Sequence, residues 1–171
     1  GFVFFLLHKT KAFSYRQLTV SKSIHLLKPV QRVVFRLNFV VKAILDAGFV
    51  WYIATALKLS VASPLAFLWI VTIVSFGLFA YFTDDRSRRM HEVYVNTWIV
   101  LWLVVQLVSA WYTQNAVFFQ TTTAIVVLQA VLAFGAALLK RTNAIIQFIC
   151  VASLYVWLIL FVQALGSLKG T

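Results

Sequence analysis

Five apolar stretches, each about 20 residues long and parted by short polar links, decide what this chain can become. They run from Leu37 to Leu57, Val61 to Phe82, Val93 to Thr113, Val117 to Leu139 and Ala144 to Leu165. A helix rises 1.5 Å per residue, so about 20 residues cross a hydrocarbon core of about 30 Å. Water is the wrong solvent for such a chain. It is 63% hydrophobic and 11% charged, where soluble domains run near 45–50% and about 25%. In lipid each backbone amide must pair inside its own segment, which predicts helices rather than an open sheet. The shorter alternating segments of a β-barrel are missing. The expected fold is an all-α polytopic membrane bundle of about five transmembrane helices with a basic N-terminal amphipathic arm.

The links are Lys58–Ser60, Thr83–Glu92, Gln114–Ala116 and Lys140–Asn143. Links this short make sequential helices antiparallel neighbours. The expected division is an arm over residues 1–36, a bundle over 37–165 and a tail over 166–171.

Charge fixes an orientation. The arm carries Lys9, Lys11, Arg16, Lys22, Lys28, Arg32 and Arg36; the second link carries Arg86, Arg88 and Arg89; the fourth carries Lys140 and Arg141. With five spans these twelve cations share one side, and only Lys58 and Lys169 lie on the other. Cytoplasm-like compartments keep the Lys/Arg-rich loops, so the N-terminus is expected inside. Trp51, Tyr52, Tyr81, Tyr94, Trp111 and Tyr112 fall near the expected span ends, where amphipathic rings settle.

Residues 1–45 contain no acidic side chain. Acid-poor, Arg- and Ser-containing N-termini resemble organelle import sequences. The chain begins with Gly1 rather than Met, so an upstream piece is expected. Together these point to a mitochondrial inner membrane with the N-terminus in the matrix; a plastid or endoplasmic reticulum membrane is the alternative. Ser21–Arg36 can form amphipathic segments interrupted by Pro29. Its Lys22, Lys28, Arg32 and Arg36 are candidate contacts for an anionic phospholipid such as cardiolipin. Topology accounts for the net charge of +11, and no nucleic-acid motif accompanies it.

Lys42 and Asp46 stand four apart inside the first span, on one helix face. Ionised groups in a span suggest function. Two readings stay open: a neutralised pair with Lys42 snorkelling to the inside boundary, or a site for a proton, an ion or a lipid headgroup. Thr72, Ser75, Asn96, Gln106, Ser109, Gln129, Gln147, Ser153 and Gln163 are expected to hydrogen-bond between helices. Ala43 with Ala47, and Ala133 with Ala137, offer small faces for close helix approach.

Catalytic signals are missing. His8, His25 and His91 lie outside the expected spans, which disfavours an intrinsic haem. The run Asp84 to Glu92 mixes acids, bases and a histidine as a solvated loop does, without a metal-site spacing. The single cysteine, Cys150, cannot form an internal disulfide and is expected to pack or face lipid. No nucleophile triad, phosphate loop or zinc motif can be assembled. The chain is expected to be no enzyme and to hold no cofactor or metal.

Trp51-Tyr52 before Leu57-Lys58, Gln106-Leu107 before Trp111 and Phe118-Phe119, and Tyr155 with Trp157 and Phe161 are loosely similar to the tryptophan-rich sensory protein (translocator) family over residues 45 to 165. The resemblance implies a five-helix binder of a porphyrin or sterol. The proline-rich segment that the family carries after its first span is reduced here to Pro64. Two functions follow as expectations. The first is a non-catalytic structural or assembly subunit of a multisubunit organellar complex, such as a respiratory complex or ATP synthase, with other membrane subunits as partners. The second is a stand-alone carrier, channel or lipophilic-ligand binder.

Overall fold

The computed structural model describes Ser14, Thr19 and residues 22–60, 62–83, 87–139 and 143–168. These form a short 3-10 helix, Lys22–Leu26, and five α-helices: α1 (Pro29–Ala56), α2 (Pro64–Tyr81), α3 (Arg88–Tyr112), α4 (Ala116–Leu138) and α5 (Ala144–Leu168). Three of them are long and apolar enough to cross a membrane: Arg88–Tyr112, Ala116–Leu138 and Ala144–Gly166. The protein is thus all-helical, with the composition of an integral membrane protein.

Local chemistry sets the helix ends. Pro29 and Pro64 stand in first turns, where a missing N–H is harmless. The side chains of Ser63, Asn115 and Asn143 accept from the backbone N–H groups of Ala66, Phe118 and Ile146 at 3.1, 3.0 and 3.1 Å. These bonds satisfy donors that each helix start leaves open. The α1–α2 turn is a Schellman motif without glycine. Lys58 takes φ 52°, Lys58 N–H donates to Thr55 C=O at 3.2 Å, and Leu59 N–H donates to Ala54 C=O at 2.8 Å. Gln114, at φ 54°, makes the corresponding turn after α3, its N–H donating to Trp111 C=O at 3.1 Å.

Helices adjacent in sequence are the main packing partners: α1 with α2, α2 with α3, α3 with α4 and α4 with α5. One core joins all five, with Ile53, Leu65, Trp69, Val105, Phe118, Trp157, Phe161 and Leu165 buried. A smaller cluster of Ile24, Leu27 and Phe35 seats the 3-10 helix on α1. Outward faces are apolar, for example Val30, Ile44 and Leu45 on α1 and Val131 and Leu138 on α4. Apolar side chains thus occupy both the inner and the outer faces of the helices.

Three local expectations change. The arm and the first span do not part at Leu37, because α1 runs unbroken from Pro29 and takes Arg32 and Arg36 into the same helix. Pro29 ends the amphipathic segment by starting this helix. The second link is shorter than read, because α3 begins at Arg88 and Arg88–Glu92 becomes an exposed i,i+4 ion pair at 2.8 Å. Ala47 and Ala137 are exposed, so neither small face is used for helix packing within the described chain.

Candidate functional site

Polar side chains inside the bundle are concentrated where α3, α4 and α5 meet. Helical spacing puts Trp102, Gln106 and Ser109 on one face of α3, and Phe118, Thr122, Val126 and Gln129 on one face of α4. Gln106, fully buried, donates through Nε2 to Gln129 Oε1 at 2.7 Å and to Trp102 C=O at 3.3 Å. Gln129 Nε2 donates to Ser153 Oγ on α5 at 3.0 Å, and Ser153 Oγ donates to Cys150 C=O at 2.8 Å. The chain of bonds crosses three helices and ends on backbone.

Around it lies an aromatic cluster. Trp157 stacks on Phe161, Phe118 and Trp69, with centroids 5.0, 6.3 and 6.4 Å away. Trp102 meets Trp69 and Trp157 edge to face at 5.3 and 6.3 Å. Two indoles find hydroxyl acceptors on other helices: Trp69 Nε1 donates to Ser109 Oγ at 3.1 Å, and Trp157 Nε1 to Thr122 Oγ1 at 3.0 Å. Trp102 Nε1 and Gln106 Oε1 are the buried polar atoms left without a partner among the described residues.

Of the polar side chains expected to bond between helices, Gln106, Ser109, Gln129 and Ser153 do so. Gln106 and Gln129 join directly, whereas Gln163 is exposed on α5 and Gln147 lies toward the other end of that helix. Asn96 is exposed. The indole–hydroxyl bonds were not anticipated. Their signal was available: a tryptophan in mid-span carries an N–H that needs an acceptor once lipid replaces water.

On α1, Phe35, Phe39, Phe49 and Ile53 mark the face turned to the bundle, and Lys42 and Asp46 share that face. Lys42 Nζ donates to Asp46 Oδ2 at 2.5 Å and sits 4.5 Å from the Phe76 ring centroid on α2. The ring's negative face supplies a second partner for the ammonium.

Of the candidate lipid contacts, Lys22 and Lys28 are exposed. Arg32 is turned to protein, donating from Nε to Leu27 C=O at 2.9 Å and from Nη2 to His25 C=O at 3.2 Å. Arg36 Nε donates to Thr83 Oγ1 at 3.3 Å, joining the first turns of α1 to the end of α2. Buried His91 donates from Nδ1 to Phe82 C=O at 2.8 Å and clamps the start of α3 to the same end. Among the described residues no group of three or more His, Cys, Asp or Glu side chains could hold a metal ion. Asp84 and Asp85, like Lys9, Lys11, Arg16, Lys140 and Arg141, lie outside the described residues.

Two shallow cavities flank α5. One, of about 310 Å³, is lined by Phe49, Tyr155, Leu158, Ile159, Val162 and Gln163. The other, of about 300 Å³, lies between α4 and α5 beside Phe118, Thr121 and Leu160. Of the residues that carry the translocator-like resemblance, Trp157 and Phe161 are in the core, while Trp51, Trp111 and Tyr155 are on the outer surface. Comparison with known proteins finds no match to a family, to a curated protein or to a solved structure.

Proposed function

We propose that this chain is a non-catalytic structural or assembly subunit of a multisubunit membrane complex, with all five helices crossing the bilayer. The observation that carries this reading is where its polar groups are spent. Inside the bundle they bind one another across helices, in the Gln106–Gln129–Ser153 chain and the two indole–hydroxyl pairs. Outside, the helices offer broad apolar faces with little extramembrane chain between them. Such a molecule is built to hold shape and to be packed against.

Sidedness follows from charge. Arg36 meets Thr83 at one end of the bundle, the end to which twelve of the fifteen cations are assigned. We assign that end to the inside, and the acid-poor arm supports a mitochondrial inner membrane with the N-terminus in the matrix. Lys22 and Lys28, both exposed, are then placed to meet anionic headgroups, cardiolipin being the local candidate. Respiratory complexes and ATP synthase are the hosts this compartment offers.

The second reading, a lipophilic-ligand binder, draws support from the apolar groove beside Phe49 and Tyr155. Native electrophoresis after mild solubilisation separates the two. The subunit reading expects comigration with an assembly of several hundred kilodaltons; a stable small oligomer that holds an apolar ligand would replace it with the second.

A further inference from the structure

We propose that the open side of the Lys42–Asp46 pair is a contact surface for a membrane helix of a neighbouring subunit, one that presents uncharged hydroxyl or carboxamide side chains. This rests on the subunit reading and on α1 crossing the membrane.

Depth is the first ground. Lys42 is six residues beyond Arg36, the last cation of the inside end, and Asp46 ten before Ala56, which is about 9 Å and about 15 Å along the helix at 1.5 Å per residue. Direction is the second. Helical side chains lean toward the N-terminus, and a snorkelling lysine would follow that lean to the inside surface. Lys42 instead reaches forward to Asp46, away from that surface. The charge is held at depth.

Incomplete cover is the third ground. Lys42 has the carboxylate and the Phe76 ring, yet the two side chains remain 29% and 32% exposed. Ionised groups within spans face protein or water rather than lipid tails. Lys42 engages Asp46 through Oδ2, which leaves Oδ1 for another donor and further ammonium N–H bonds for an acceptor. A hydroxyl or a carboxamide supplies both, and the neutral pair calls for no net charge opposite.

The surroundings suit a helix. Asn38, exposed, continues the series Asn38, Lys42, Asp46 at four-residue steps. Exposed Leu45, seven residues beyond Asn38, lies on the same side of α1, so one helix can follow the open edge of the pair. A second copy fits less well: about a twofold axis along the membrane normal, Lys42 would face Lys42 at equal depth.

The test uses the full chain in its native membrane, with a photoreactive phenylalanine at Asn38, at Leu45 or, as the lipid-facing control, at Ile44. The inference expects adducts from positions 38 and 45 to a different membrane polypeptide of the same complex, at least fivefold above position 44. Adducts only to lipid, to this chain's own residues 1–21 or to a second copy would overturn it. A companion variant, Lys42→Met with Asp46→Leu, removes the outward donors and acceptor together and leaves no charge stranded in the span. Its complex-bound fraction is expected to fall at least fivefold; an unchanged fraction would also overturn the inference. Native electrophoresis of the unmodified chain separates the failures. A small free species removes the subunit reading itself, whereas a large complex with lipid-only adducts removes only this contact.

Discussion

Trp157 is the side chain on which the bundle's interior depends most. It is fully buried, touches rings from α2, α3, α4 and its own helix, and donates to Thr122. Two contributions can be separated. Replacing it with alanine removes the stacked contacts and leaves a void. Trp→Ala in a core costs about 3–5 kcal/mol. In lipid the part that comes from leaving water is absent, while lost dispersion contacts remain, so about 3 kcal/mol is expected. Replacing it with phenylalanine keeps a ring but drops the indole N–H, and Thr122→Val drops the acceptor. Each single change is expected to cost about 1–2 kcal/mol, with a coupling of about 0.6–1.7 kcal/mol between them, from the average to the largest value found for bonds between membrane helices. The assay is reversible unfolding in mixed micelles followed by circular dichroism, for wild type, Trp157→Ala, both single variants and the double. A Trp157→Ala cost below about 1 kcal/mol, or no coupling in the cycle, would refute the reasoning that this ring and its bond organise the core.

Four further outcomes follow from the same structure. Gln129→Leu cuts two bonds but leaves Gln106 a carbonyl acceptor and Ser153 its own, so micelle unfolding should register a loss of about 1 kcal/mol. Lys42→Met alone strands a carboxylate in the span, and should reduce membrane-inserted protein more than Lys42→Met with Asp46→Leu, as read by quantitative immunoblot. Asn143→Ala removes the acceptor for Ile146 N–H and should lower stability by about 1 kcal/mol in the micelle assay. Gln114→Gly relieves a left-handed residue, so unfolding should be unchanged or harder by up to about 1 kcal/mol; a clear loss would mean the side chain matters more than its φ.

Much of the architecture was legible because lipid leaves few choices. A run of apolar residues about as long as the bilayer is thick must be helical, and its charges must sort to the ends. Each of the five stretches falls on one helix, Val93–Thr113 for instance on Arg88–Tyr112. Boundaries were less legible where polarity and helicity diverge. Arg32, Arg36 and Arg88 are too polar for a span yet sit in continuous helix, since hydropathy records the solvent and says little about backbone hydrogen bonding. The turns at Lys58 and Gln114 carried no glycine to announce a left-handed residue. In the candidate site, the Lys42–Asp46 pairing was readable from four-residue spacing, but its Phe76 contact was not, because that joins helices 34 residues apart in the chain. The same holds for Trp157 with Thr122. Spacing within one helix shows which residues share a face and leaves open which face meets it.

The sidedness and number of spans bear most directly on the whole account. Single cysteines at Lys58, Ser87 and Gln114, in a chain with Cys150→Ala, can be challenged with a membrane-impermeant thiol reagent in sealed inner-membrane vesicles of either orientation. Five spans with the cationic end inside require positions 58 and 114 to react only from the outer side and position 87 only from the inner side. Reaction of positions 58 and 87 from the same side would mean that α2 does not cross the membrane, and would contradict the account.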